Sequence, residues 1–151
     1  LIYVIVNETN FRFSYFMKIT FSLEEIHQVA QQILAQNPKK VMLFHGEMGV
    51  GKTTLIKAIA KSLGIEGATS SPTFSLVNEY QISDNQLFYH FDVYRLKNEI
   101  EAYDMGMDDY LYSGNWCCIE WAEKIPSLIP EEHSVIRIKL LSDGKRELTL
   151  T

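Results

Sequence analysis

Apolar and polar positions fall into two periods along this chain, and the switches between them mark out its elements. Lys18-Ile19-Thr20-Phe21 alternates as a short strand. Leu23, Ile26, Val29, Ala30, Ile33 and Leu34 then recur at helical spacing, which predicts a helix reaching about Gln36. Ser22 with Glu25 makes a capping box at its start, and Asn37-Pro38 ends it. Val41-Met42-Leu43-Phe44-His45 is a continuous apolar run, the pattern of a strand buried on both faces of a parallel sheet. Apolar residues from Thr54 to Leu63 return to the helical period, with Gly64 as the stop.

The second half reads in the same way. Residues 68–75, rich in hydroxyls and holding Pro72, form a loop. Phe74 to Ile82 and Gln86 to Val93 predict two strands joined by Ser83-Asp84-Asn85. Asn98 to Tyr112 is helical with a break at Met105-Gly106-Met107, and Ile125-Pro126 to Pro130 is a short turn. Trp116 to Trp121 is a second buried strand. Ser134 to Leu141 and Glu147 to Thr151 make a terminal hairpin. The first sixteen residues stand apart. Leu1 to Val6 could be an edge strand, but residues 1–16 are expected to be a non-native or upstream extension, with Met17 as the natural start and residues 17–151 as one domain.

The candidate chemistry lies between the central strand and its helix. Gly46-Glu47-Met48-Gly49-Val50-Gly51-Lys52-Thr53 fits Gly-x-x-x-x-Gly-Lys-[Ser/Thr], the phosphate-binding loop of nucleoside triphosphatases. Glycines let the backbone approach a phosphate closely, and the helix beginning near Lys52 adds its positive end. Lys52 can reach the β- and γ-phosphates of a nucleotide, and Thr53 can place its hydroxyl on Mg²⁺. The strand from Trp116 delivers Glu120 as the acid of a Walker B element, where the usual residue is Asp.

Other positions leave alternatives open. Asp92 ends a strand and could orient water, or merely cap a turn or pair with Arg95. Alternation puts it on one side with His90 and Tyr94. Thr73 belongs either to a γ-phosphate sensor loop or to a plain connection. Asp104, Asp108 and Asp109 lack the spacing of a calcium loop and read as a solvated acidic face.

Composition narrows the function. Apolar residues make up 46% of the chain and charged residues 22%, which is globular rather than disordered. The formal net charge of −5 disfavours an autonomous nucleic-acid binder, which needs clustered Lys and Arg. The two cysteines, Cys117 and Cys118, are adjacent and apolar-flanked, so they are expected to be reduced residues of a cytoplasmic protein. No stretch has the length of a membrane span.

Four segments together resemble the TsaE (formerly YjeE) family, the bacterial ATPases of tRNA threonylcarbamoyladenosine (t6A) biosynthesis. They are Gly46 to Thr54, Ser71-Pro72-Thr73-Phe74, His90-Phe91-Asp92-Val93-Tyr94-Arg95-Leu96 and Ile119-Glu120-Trp121-Ala122-Glu123. The resemblance runs from about Met17 to the C-terminus. It implies an α/β fold like that of phosphate-loop NTPases: a mixed sheet with parallel core strands, flanking helices and antiparallel additions. It implies ATP and Mg²⁺ as cofactors, TsaD and TsaB as partners, and tRNA met only through that assembly, with ATP hydrolysis resetting or activating it. By position, Gly46 to Thr54, Thr73 and Trp121 would meet nucleotide, Thr53 and Glu120 would hold Mg²⁺, and Lys52, Asp92 and Glu120 would serve catalysis. A small-molecule kinase and a non-catalytic nucleotide-switch adaptor are the competing readings. A GTPase would need an Asn-Lys-x-Asp element, which does not occur.

Overall fold

The computed structural model describes residues 3–4, 17–67 and 76–151, the first pair by backbone alone. Among the described residues, eight strands form one mixed sheet in the order β1-β2-β8-β7-β3-β6-β5-β4. They are β1 (Tyr3–Val4), β2 (Met17–Phe21), β3 (Val41–His45), β4 (Val77–Ser83), β5 (Gln86–Asp92), β6 (Trp116–Glu120), β7 (Ser134–Leu140) and β8 (Arg146–Leu150). The four middle strands, β7-β3-β6-β5, run parallel. Antiparallel strands extend both sides, with β8, β2 and β1 beyond β7, and β4 beyond β5. This is the mixed sheet that the hydrophobic pattern and the resemblance imply.

The first helix opens as a short 3-10 turn, where the Glu25 carboxylate accepts from the Ser22 amide at 2.7 Å and from its hydroxyl at 3.1 Å. It continues as α1 (Ile26–Ala35), and the next helix is α2 (Lys52–Ser62). Both pack on one face of the sheet, burying Ile33, Leu55, Ile56 and Ile59 against Met42, Phe44, Ile136 and Leu148. At about 1.5–3 kcal/mol for each large apolar side chain buried, such contacts dominate the favourable side of folding. The opposite face carries α3 (Glu99–Asp104) and α4 (Met107–Leu111), separated by Met105 and the left-handed Gly106. These short helices cover Phe91, Ile119 and Val93 with Ala102, Met107 and Leu111. Asn98 caps α3 by accepting from the Glu101 amide.

Being covered on both faces makes β3 and β6 continuous apolar runs. Strand alternation sends Cys118 into the core beneath α2 and Cys117 into the core beneath α4. Both thiols are free. Burial pushes the Cys117 thiol up to about 12 and raises Cys118 well above the ordinary range. The thiolate is the reactive form. A disulfide reagent at pH 8 should therefore leave both cysteines unmodified in the native protein and titrate two thiols once denaturant is added. Rapid native labelling would contradict this packing.

Residues 1–2 and 5–16 lie outside the described residues. The expectation of an extension over 1–16 falls mostly on them, and only the pairing of Tyr3–Val4 with Met17 and Lys18 is described.

Candidate functional site

Three parallel strands carry their carboxyl ends to one edge of the sheet, the place where open α/β sheets build their sites. Phe44 of β3 and Asp92 of β5 are both register partners of Glu120 in β6. The chain leaving β3 therefore enters the glycine loop directly beside Asp92 and Glu120. A cavity of about 300 Å³ opens there, lined by Met48, Gly49 and the loop residues from Gly51 to Thr54, and by Asp92, Tyr94, Glu120 and Trp121.

The loop is shaped by backbone that only glycine adopts easily. Gly46 has φ +156°, and Gly51, capping α2, has φ +113°. Val50 donates its amide to the Glu47 carbonyl, and Leu55 donates to the Gly51 carbonyl, which closes the first turn of α2. The N–H groups of that first turn have no partner within the helix and point toward the loop. They and the helix dipole make a site for an anion.

Lys52 starts α2 and is only 5% exposed. Its ammonium donates to the Gly46 carbonyl and, at 3.0 Å, to the Glu47 carbonyl. It also lies 4.6 Å from the centre of the Trp121 ring. Among the described residues no carboxylate forms an ion pair with it. Buried ammonium groups are normally paired with a carboxylate. Here carbonyl dipoles and an aromatic face hold the charge without neutralising it, next to the anion-binding end of a helix.

Glu120 is 3% exposed and receives two side chains. The Thr53 hydroxyl lies 2.9 Å from each of its oxygens, and His90 Nε2 is 2.7 Å from Oε2. A carboxylate oxygen accepts, so the Thr53 hydroxyl donates to it, and His90 does so in the tautomer that carries its proton on Nε2. A hydroxyl that donates its proton in this way is of the oxygen type that divalent cations take as a ligand. Asp92 also lines the cavity, where its Oδ1 accepts from the Tyr94 amide at 3.1 Å. The turn-capping role expected as an alternative is thus present together with exposure to the pocket.

Trp121 has a left-handed backbone, φ 63°, unusual for a bulky residue. That turn places its ring 4.9 Å from Tyr94 and over Lys52. Behind the loop, His45 Nδ1 sits 3.4 Å from Glu123; burial lowers its imidazole pKa, against the opposite pull of Glu123.

Most of the sequence-predicted set converges: Gly46, Glu47, Met48, Gly49, Val50, Gly51, Lys52, Thr53, Thr54, Asp92, Glu120 and Trp121 occupy the loop or its pocket. Thr73 lies outside the described residues. No metal-binding cluster occurs among the described Asp104, Asp108 and Asp109. His90 is a residue of the site to which sequence reasoning gave no role. Its signal was the alternation that puts it on the same side of β5 as Asp92.

Fold and site together define a small mixed α/β protein with a glycine loop and two acid-bearing strand ends at one sheet edge. The family model described as "Threonylcarbamoyl adenosine biosynthesis protein TsaE" matches residues 20–148, and the chain belongs to the TsaE family. A tRNA threonylcarbamoyladenosine biosynthesis protein TsaE from Bacillus subtilis is 40% identical over 134 residues, 87% of this chain and 82% of the relative. The TsaE protein of Rickettsia bellii is 38% identical over 132 residues, 86% of this chain and 90% of its own. The crystal structure of YdiB from Bacillus subtilis superposes with a TM-score of 0.70 at 32% identity, covering 89% of this chain and 84% of that one.

Proposed function

We propose that this chain is a Mg²⁺-dependent ATPase that supports t6A modification of tRNA by acting on a TsaD–TsaB assembly. The names of the family and its relatives support the pathway. The observation that carries the nucleotide reading is Lys52: a buried ammonium without an ion-pair partner among the described residues, at a glycine loop and a helix start.

The residues present fit both groups. Loop amides and Lys52 would hold the β- and γ-phosphates, and Thr53 with Glu120 would hold Mg²⁺. When bound, Mg²⁺ neutralises charge on the phosphate oxygens. Asp92, with Oδ1 tied to the backbone of Tyr94, keeps its second oxygen to orient water toward the pocket. Trp121 and Tyr94 form an aromatic wall that shields one side from solvent. The formal charge of −5 suits a subunit that meets tRNA through its partners, and Thr73 would sense the γ-phosphate.

Labelled ATP tests this. With Mg²⁺ the protein should release phosphate, faster when TsaD and TsaB are added. Glu120→Gln keeps the shape but removes the charge, and release should fall on the order of 10²-fold, comparable to losing one preorganised electrostatic contact. Transfer of label to a metabolite would identify a kinase instead. Binding of TsaD–TsaB with ATP but no hydrolysis would leave only the adaptor role. Among the described residues no helix is long and apolar enough to cross a membrane. Because the proposed task is tRNA modification, its expected place is the cytoplasm.

A further inference from the structure

His90 is 2% exposed, in the interior of β5. A polar ring at that depth needs a partner, and a backbone carbonyl would serve a purely structural histidine. His90 instead meets a side chain of the pocket. In the parallel pairing His90 lies opposite Cys118 and Asp92 lies opposite Glu120, so His90 and Glu120 share one sheet face, one step apart along the strands. That face is the one toward α2, where Thr53 sits in the first turn.

The terminal torsion of a glutamate is broad and roughly two-fold, so an unsupported carboxylate has no fixed plane. A bond from His90 Nε2 to Oε2 at 2.7 Å sets that plane from below. In the same orientation the Thr53 hydroxyl is 2.9 Å from both oxygens. We propose that His90 is a positioning residue, which fixes the Glu120 carboxylate against Thr53 and so sets how tightly the pocket holds a divalent cation beside a nucleotide. This rests on Glu120 and Thr53 being the cation-holding pair. The bond requires a proton on Nε2, because the ionised carboxylate only accepts.

The test is binding of a fluorescent N-methylanthraniloyl ADP, titrated with Mg²⁺ and repeated in EDTA. The proteins compared are the wild type, His90→Leu, His90→Gln, Glu120→Gln and the double variant His90→Leu/Glu120→Gln. Leu fills the space without a donor, whereas Gln carries an amide N–H that can reach Oε2. His90→Leu should raise the Mg²⁺ concentration for half-effect by about tenfold or more, the usual loss for an outer-shell partner, while affinity in EDTA stays within about twofold. His90→Gln should recover most of the Mg²⁺ effect, and His90→Leu should add nothing in the Glu120→Gln background. If Leu prevents folding, His90→Asn replaces it, since its shorter amide cannot reach Glu120. A folded His90→Leu or His90→Asn protein with an unchanged Mg²⁺ requirement, or with equal weakening in EDTA, overturns the proposal alone. A wild type with no Mg²⁺ effect overturns the reading of Glu120 and Thr53, and the proposal with it.

Discussion

Replacing Lys52 by Ala should abolish productive nucleotide binding while leaving the fold intact. The ammonium is the one positive side-chain charge the loop itself supplies, and it sits at the helix end where the phosphates would lie. Its removal should cost on the order of 3 kcal/mol of triphosphate stabilisation, roughly 10²-fold in affinity or turnover. Stability should move little. The native ammonium is desolvated, and among the described residues the Gly46 and Glu47 carbonyls and Trp121 compensate it. Removing a buried charge that has no ion-pair partner among the described residues strands no opposite charge there. Of the residues that supply its carbonyl partners, Gly46 is half-buried and Glu47 is exposed, so water can replace the lost contacts. Calorimetric ATP binding and phosphate release should therefore collapse in a protein whose Tm stays near the wild type. Lys52→Arg should not rescue, because the broad planar fork cannot reproduce one compact ammonium between two carbonyls and a ring. Wild-type affinity in a folded Lys52→Ala protein would remove the basis of the ATPase reading.

What could be read from the sequence follows the range of the forces concerned. The glycine loop, its strand and its helix are contiguous, so Lys52 and Thr53 were placed by local chemistry alone. Glu120 was legible because a continuous apolar run announces a strand buried on both faces, and the acid is its last residue. The His90–Glu120 contact was not legible. It depends on β5 and β6 being parallel neighbours in one particular register, and the two residues are separated by thirty positions of chain. For the same reason the terminal hairpin was recognised, but not its insertion beside β3, which places β7 in the parallel core. The left-handed turn at Trp121 is likewise invisible in propensity. No local rule puts a bulky aromatic at φ 63°, and the contacts with Lys52 and Tyr94 exist only in the folded protein. The α3–α4 break was predictable because Gly106 supplies a left-handed residue between two short helical patterns.

Gly46→Ala should be the most destabilising single-atom change in the loop. Gly46 has φ +156°, and an added Cβ would stand 2.6 Å from the Ile138 carbonyl oxygen and 2.8 Å from Val50 Cγ1. The valine methyl can turn aside. The carbonyl cannot, because β7 is held between β3 and β8 by backbone bonds on both sides. Backbone strain of about 1–3 kcal/mol and overpacking of about 1–3 kcal/mol should combine to roughly 2–5 kcal/mol. Gly49→Ala is the control: at φ +80° it carries a left-handed penalty of roughly 1–2 kcal/mol, but its Cβ would meet nothing within 4 Å. Urea unfolding of the two variants should separate them by at least about 1 kcal/mol, with Gly46→Ala the weaker. The same shift would pull the Gly46 carbonyl away from Lys52, so Gly46→Ala should also lose nucleotide affinity under conditions where it remains folded. Equal midpoints for the two variants would mean that the loop does not approach β7 this closely, and that the ammonium is held by something other than this turn.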